Sequence, residues 1–578
     1  MSPLSPLSPR NASAPHHDGT PFGRRRFLAG TAASAAGAAL VGGVTAGPAQ
    51  ASERGGADRP VVTESGRVTG VPAGLAGVTV YKGIPYAAST AGENRWRAPQ
   101  PAPSWKGVRK ADTWGAACPQ PVTGIPAEQV PSLSEDCLNL NIWTGAASSR
   151  ERRPVLVWIY GGRASAMWAS QPVYDGANLA AKGAVVVTFN HRVGAFGNLA
   201  HPGLSAESGH GASGNWGVMD TVAVLTWVRR NIAAFGGDPD RVTIAGWSHG
   251  ASFVNILMIS RLARGLYHRA LLSSGVQYTK DPALGHVAGG YSTLAAAEAN
   301  GTAFAAYLGA SGVDGLRELS AEEIVAKVYA SGAPSAGTSF GNVLDGYVLP
   351  TTYTGAMESR SETDVPVYTG NTKDENGASP TLAMTVAQFQ AYAASTFGDR
   401  AEEFLALYPA ATDTEAAARY NAYARDEERV STFLWGTQFR KTAGNRSPVH
   451  TYFWSHVPPG TDTSNPIMPG QDASAAGAYH GADLYYLFGG LDGIDRPWTA
   501  DDRRIADLTS SYVVNFAATG NPNSPAHSGR SLPAWPALRT GRALTMEIGD
   551  GFRPIPAADS EAKSAFLKGY LESQTTAF

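Results

Sequence analysis

From Pro154 onward the chain alternates short apolar runs with stretches of helical periodicity. Val155-Leu156-Val157-Trp158-Ile159 runs into Gly161-Gly162, and Ala184-Val185-Val186-Val187-Thr188-Phe189 ends at Asn190. Neither run alternates polar with apolar, as expected of strands covered on both faces of a parallel sheet. Between them, residues 174–182 read as a short helix. Residues 220–232 place Val222, Val224, Leu225, Trp227 and Val228 at helical spacing, and Asp238-Pro239 stops that helix. A third strand at 241–245, a helix at 252–262 and a strand at 271–274 follow. Strand and helix in alternation predict an α/β architecture, a mostly parallel sheet with helices on both faces.

The flanking regions read differently. Residues 61–81 alternate, with Gly66, Gly70 and Gly77 as turns, and predict antiparallel strands at an edge of the sheet. After Gly275, Ala-rich helical stretches (294–308, 321–330, 387–394, 401–407, 414–425) interrupt the strand rhythm, with strands at 365–369 and 450–454. These stretches read as helical cap insertions, roughly 276–364 and 378–449, on one domain spanning 52–578. At the N-terminus, Arg24-Arg25-Arg26-Phe27-Leu28 precedes a small-residue apolar stretch, and Ala49-Gln50-Ala51 offers a cleavage site. This is the pattern of a twin-arginine export signal, residues 1–51, cleaved after Ala51. It predicts a secreted, extracytoplasmic protein.

Composition narrows the field. With 43% hydrophobic and 16% charged residues, the 578-residue chain buries a large core. The formal net charge is −2, and residues 1–51 hold four Arg and one Asp, so the rest carries 42 basic against 47 acidic residues. No basic stripe remains for a nucleic-acid partner, and no later segment offers the ~20 apolar residues of a membrane span. The sequence leaves the oligomeric state open. Cys118 and Cys137 are the two cysteines. In an exported chain, two thiols this close in sequence read as bonded. No metal- or nucleotide-binding spacing is present, so neither metal nor cofactor is expected.

One pentapeptide carries chemistry. In Thr243-Ile244-Ala245-Gly246-Trp247-Ser248-His249-Gly250 a strand runs into a glycine-flanked serine and then a helix. A serine hydroxyl needs a base to take its proton and a third group to orient that base. A sharp strand-to-helix turn exposes the hydroxyl and faces a helix N-terminus toward a developing oxyanion. Ser248 is the candidate nucleophile.

Longer motifs make the chain resemble the type-B carboxylesterases, the family that also holds the cholinesterases. Phe235-Gly236-Gly237-Asp238-Pro239 with the elbow is similar to that family's active-site signature, and residues 135–143 (Glu135 to Trp143) to its second. The likeness continues through Lys82-Gly83-Ile84-Pro85-Tyr86-Ala87, Asn190-His191-Arg192-Val193-Gly194, Gly214-Asn215-Trp216-Gly217 and Gly520-Asn521-Pro522-Asn523. The resemblance implies an α/β-hydrolase fold and hydrolysis of small-molecule esters through an acyl-enzyme. It implies Glu375, in Gly370-Asn371-Thr372-Lys373-Asp374-Glu375-Asn376-Gly377, as the triad acid with Asp374 a solvated neighbour. It implies His480, in His480-Gly481-Ala482-Asp483, as the base, with Asp483 where the family has glutamate. It also implies a first disulfide loop at Cys118 and Cys137.

Three residues at the site depart from that pattern. Trp247 stands where glutamate is usual before the serine, and His249 where alanine is usual after it. Tyr160-Gly161-Gly162-Arg163 replaces a loop that ends in glycine. The resemblance assigns the oxyanion-donating amides to Gly162, Arg163 and His249. If the position of Arg163 requires positive φ, a non-glycine residue is strained there. Alternatively its guanidinium reaches the acyl pocket and pairs with a substrate carboxylate. Met167, Trp168, Trp247 and Phe253 are candidate pocket residues. The rival readings are a silent binding protein on the same fold and an amide or lactone hydrolase.

Overall fold

A computed structural model describes residues 59–575 apart from 123–124, 126, 163–166, 283–289, 331–332, 334–339, 443–446, 462–472 and 526–530. The leader, residues 1–51, and Arg163 therefore lie outside the described residues. The apolar runs form the middle of an 11-stranded sheet. In chain order its strands are β1 (Val71–Pro72), β2 (Thr79–Pro85), β3 (Asn139–Thr144), β4 (Arg153–Ile159), β5 (Val185–Phe189) and β6 (Gly237–Trp247). They continue with β7 (Arg269–Ser273), β8 (Val367–Thr372), β9 (Val449–Trp454), β10 (Leu544–Ile548) and β11 (Phe552–Pro556). In space the order is β11-β10-β9-β8-β7-β6-β4-β5-β3-β2-β1. From β5 through β4 to β10 neighbouring strands are parallel. The strands at both edges pair antiparallel. Strands β5, β8 and β9 are buried at every residue, which is why their sequences read as unbroken runs.

Helices α1 (Trp216–Asn231), α2 (His249–Ile259), α3 (Asp413–Thr442), α4 (Leu484–Phe488) and α5 (Ala500–Thr519) flank the sheet. In the two inserted regions lie helices Leu294–Leu308, Gly312–Glu318, Ala321–Val328, Tyr353–Ser359, Val386–Phe397, Ala401–Leu407 and α3. Phe397 and Phe404, themselves packed on Tyr423, meet Phe566 and so seat the C-terminal helix Glu561–Ser573.

Several boundaries differ from the sequence reading for identifiable reasons. Only Val71–Pro72 and Thr79–Pro85 join the large sheet's edge; Val61–Val62 and Arg67–Thr69 form a separate sheet with Val108–Lys110. Asp238-Pro239 does not end a helix but lies inside β6, where Arg241 Nε donates to Asp238 Oδ2 at 2.9 Å. Helix α3 continues 17 residues past Arg425, through Asp426 and Glu428, both of them buried. Buried carboxyl groups there break the apolar stripe that periodicity relies on.

The loop after β5 is fixed by a buried ion pair. Arg192 Nε and Nη2 donate to the Asp220 carboxylate on α1 at 2.9 and 2.6 Å. Beside it the His191 ring stacks on Tyr160 at 4.4 Å. Burial lowers the His191 pKa to about 4, so that ring is neutral and serves packing.

Candidate active site

Strand β6 is buried from Val242 to Trp247, and α2 begins one residue beyond its end. The residue between them is Ser248, held at φ 55° and ψ −122°, a conformation that side chains rarely adopt. The turn is sharp because strand and helix nearly touch. A Cβ on Gly250 would stand 2.1 Å from the Ile159 carbonyl oxygen, and one on Gly246 would stand 2.5 Å from the Gly250 carbonyl carbon. Both glycines of the elbow are thus required by close approach. The Ser248 N–H donates to the Ser273 carbonyl at 3.0 Å, and its carbonyl accepts from the Ser252 N–H at 3.0 Å. Strain of this kind costs roughly 1–3 kcal/mol and persists where the surroundings over-determine it. Ser248 is left half-buried at the carboxyl end of the sheet.

Strand β7 ties this elbow to the acid. Ser273 holds the Ser248 amide, and the next residue, Ser274, donates its hydroxyl to Glu375 Oε1 at 2.9 Å. The same oxygen accepts the Thr372 N–H at 2.7 Å. The other oxygen, Oε2, is hydrogen-bonded to His480 Nδ1. Burial works against a proton on the His480 ring, but the charge and hydrogen bond of Glu375 outweigh it and raise its pKa. In the neutral ring the proton then sits on Nδ1 and the lone pair on Nε2. The side chain of His480 is 36% exposed, against 4% for Glu375, so the ring keeps an open side. Trp247, next to Ser248, lies 4.8 Å from the His480 ring centroid to centroid. Ser248 follows β6 and Glu375 follows β8; Glu375 and His480 are hydrogen-bonded to each other, and the neighbour of Ser248, Trp247, meets the His480 ring.

Asp374 is not the solvated neighbour expected of it. It is buried, its Oδ2 accepts the Ala478 N–H at 2.8 Å, and Arg425 pairs with Oδ1. Its own N–H donates to the Ala478 carbonyl at 3.0 Å, lacing the turn that bears Glu375 to the turn that bears His480. Asp483 is buried as well: its Oδ2 accepts from Ser273 Oγ at 2.9 Å and from Tyr452 OH at 2.6 Å. Burial pushes its carboxyl up to about 6. Ser273 and Ser274 were legible only as the end of a strand, because their partners lie more than 100 residues away in the chain.

The opposite wall is built by packing. A Cβ on Gly161 would meet the Trp247 ring at 2.6 Å, and one on Gly481 would meet it at 2.7 Å. Two glycines thus make room for the indole that stands in the usual glutamate position. Gly162 adopts φ 88°, open to glycine and strained for other residues. His249 opens α2, and its ring is 5.0 Å from Phe253. Its amide belongs to the first turn of the helix, where N–H groups point toward the N-terminus. Of the four candidate pocket residues, Trp247 is the one that meets His480. Met167, Trp168 and Phe253 are buried at 6%, 1% and 1% exposure, as is Trp247 at 3%. Gln120 clamps the Met167 backbone at both N–H and carbonyl, and Phe253 sits 5.1 Å from His191.

Cys118 and Cys137 do not form the expected disulfide here. Both are buried thiols standing side by side. The neighbouring Cys118 and burial push the Cys137 thiol well above its ordinary value, so in this reduced pair it is protonated. Among the described residues no cluster of His, Cys, Asp and Glu is arranged to hold a metal ion, and no helix is long and apolar enough to cross a membrane.

A serine at a strained elbow after a central parallel strand, with a carboxylate-bound histidine at the neighbouring strand ends, defines an α/β hydrolase. The carboxylesterase family model matches residues 57–567. The chain belongs to that family and is a carboxylesterase. It is 34% identical over 500 residues to a fumonisin B1 esterase of Sphingopyxis macrogoltabida, covering 85% of this chain and 87% of that protein. It is 30% identical to the para-nitrobenzyl esterase of Bacillus subtilis (strain 168), covering 82% and 92%. A solved structure of PNB esterase superposes with a TM-score of 0.67 at 28% identity, covering 88% of this chain and 99% of that one.

Proposed function

We propose that this carboxylesterase hydrolyses small-molecule esters through an acyl-enzyme on Ser248, with His480 as base and Glu375 as the group that orients it. The observation that carries the reading is the Glu375–His480 hydrogen bond, anchored by Ser274 and Thr372 beside the strained serine. With Nδ1 committed to Glu375, Nε2 takes the Ser248 proton as Oγ bonds to the ester carbonyl carbon. The tetrahedral oxyanion is held by amides, assigned to Gly162, His249 and, from its place in the sequence, Arg163. Each such donor is worth about 10²–10³ in rate. The bond to the alcohol then breaks, His480 returns the proton to the leaving alkoxide, and water repeats the sequence on the acyl-enzyme. Relatives named for fumonisin B1, para-nitrobenzyl and cocaine esters support a small organic ester as substrate.

Pre-steady-state mixing with a short-chain p-nitrophenyl ester tests this. A burst of about one p-nitrophenol per active site is expected from the wild type and none from Ser248→Ala. A folded wild type without turnover, or faster turnover of the matching anilide than of the ester, would overturn it.

The twin-arginine pattern of residues 1–51 supports export of this activity, with a mature N-terminus at Ser52. In that oxidising setting the adjacent Cys118 and Cys137 join. The exported protein is expected to show no titratable thiol in denaturant until reduced, and then two. Two thiols without reduction would refute the pairing.

A further inference from the structure

Behind Glu375, on the side chain's route to helix α3, stands a second buried carboxyl that the triad does not use. Glu428 lies on α3 at 6% exposure and faces the Glu375 carboxyl within hydrogen-bonding contact. Its two oxygens are treated differently by their surroundings. Oε1 accepts the side-chain amides of both Asn371 and Asn376, the latter at 2.7 Å, while buried Oε2 receives no donor. That is the arrangement of a protonated acid, whose carbonyl oxygen accepts and whose hydroxyl donates. Two carboxylates in contact in a dry interior cannot both ionise. Glu375 already receives Ser274, Thr372 and His480, all of which favour its charged form. The proton belongs on Glu428.

Among the described residues the nearby cations are engaged elsewhere. Arg425 is taken by Asp374, and Arg429 by Asp426 and Asp559. Glu427, the next carboxyl on α3, is hydrogen-bonded to Tyr423 and is itself pushed up to about 8 by burial. Burial and the Glu375 charge drive Glu428 well above the carboxylate range.

We propose that Glu428 is a positioning residue, a neutral acid that donates a hydrogen bond to Glu375 and so holds that carboxylate charged and aimed at His480. The proposal rests on the triad reading above but has a readout that does not need it. In Glu428→Gln the amide replaces the hydroxyl as donor while its carbonyl keeps Asn371 and Asn376. The expected result is kcat within about threefold of wild type and an unchanged acid limb of kcat/KM. In Glu428→Met the donor is gone, and kcat is expected to fall about tenfold with KM within about twofold. Infrared difference spectra between wild type and Glu428→Gln at pH 7 are expected to contain the C=O stretch of a protonated carboxyl. A carboxylate band in its place, a downward shift of the acid limb in Glu428→Gln, or a Glu428→Met enzyme as fast as wild type would each overturn the proposal. If Glu428→Met does not fold, Glu428→Gln and the infrared band decide alone. If the wild type hydrolyses no ester, the triad reading fails while the infrared band still tests the proton on Glu428.

Discussion

Among the described residues two histidines sit against carboxylates, and only one is arranged as a base. His480 bonds Glu375 through Nδ1 and is 36% exposed. His456, just past β9, is 16% exposed and uses both nitrogens: Nδ1 meets Asp550 at 2.8 Å and Nε2 meets Asp502 at 2.9 Å. Burial opposes the proton on each ring, and the carboxylates outweigh it in both, so both pKa values are raised. The shared direction of shift therefore says nothing about role. A ring that holds two carboxylates by two N–H groups is an imidazolium with no lone pair to offer. Asp502 is further fixed by Tyr486 OH at 2.6 Å and the Thr499 N–H at 2.8 Å, which makes the His456 site a brace between β9 and α5. A carboxylate beside a histidine becomes catalytic machinery only where one nitrogen is left over and a strained serine stands next to it.

The largest effect expected from this contrast is on turnover. Glu375→Gln keeps the shape of the acid but favours the wrong tautomer of His480, and should lower kcat about 10⁴-fold. His456→Gln should leave kcat within about twofold. Steady-state assays with one p-nitrophenyl ester, and circular dichroism to check folding, compare them directly. Comparable losses from the two variants would break the distinction between base and brace.

A smaller effect is on the pH profile. His480 acts as a base only when neutral, and its pKa is raised, so the proton stays on to higher pH than in an ordinary histidine. Activity should therefore be lost as pH falls through an apparent pKa above the usual ~6.5. The residual activity of Glu375→Gln should have its midpoint lower, since the charge that holds the proton is gone. An acid limb that does not move between the two proteins would remove Glu375 from the role of His480's partner.

The sequence made some of this legible and hid the rest. The strands β4 to β9 stood out because burial on both faces leaves unbroken apolar runs, and Ser248 because the elbow's close contacts admit glycine alone on either side. Glu375 and His480 came from motif likeness, since nothing local marks which acid and which histidine meet across 105 residues. Two kinds of information were out of reach. Asp374 reads as a solvated acid, and its burial depends on partners on other elements. The Arg425-Asp426-Glu427-Glu428-Arg429 run looks like the solvated end of a helix, yet α3 carries it through the interior. Both turn on exposure, which the identity of a side chain does not fix.

The smallest expected effect concerns stability, and it tests the brace itself. The folded pKa of His456 lies above its unfolded value. The folded state therefore binds the proton more tightly, and the stabilisation is fully present below the unfolded pKa of ~6.5 and lost as pH rises through the folded value. At pH 6 the charged ring joins Asp502 and Asp550; well above the folded pKa the neutral ring can donate to only one of them. Asp550 is 57% exposed, so solvent screens that half of the bridge and the Asp502 half carries most of the effect. His456→Gln should lower Tm by about 2–3 °C at pH 6, on the order of one charge-assisted hydrogen bond, with the gap narrowing toward pH 9. Differential scanning calorimetry at the two pH values measures it. A gap that widens with pH would mean that His456 is buried neutral in the fold, and the contrast with His480 would then rest on position alone.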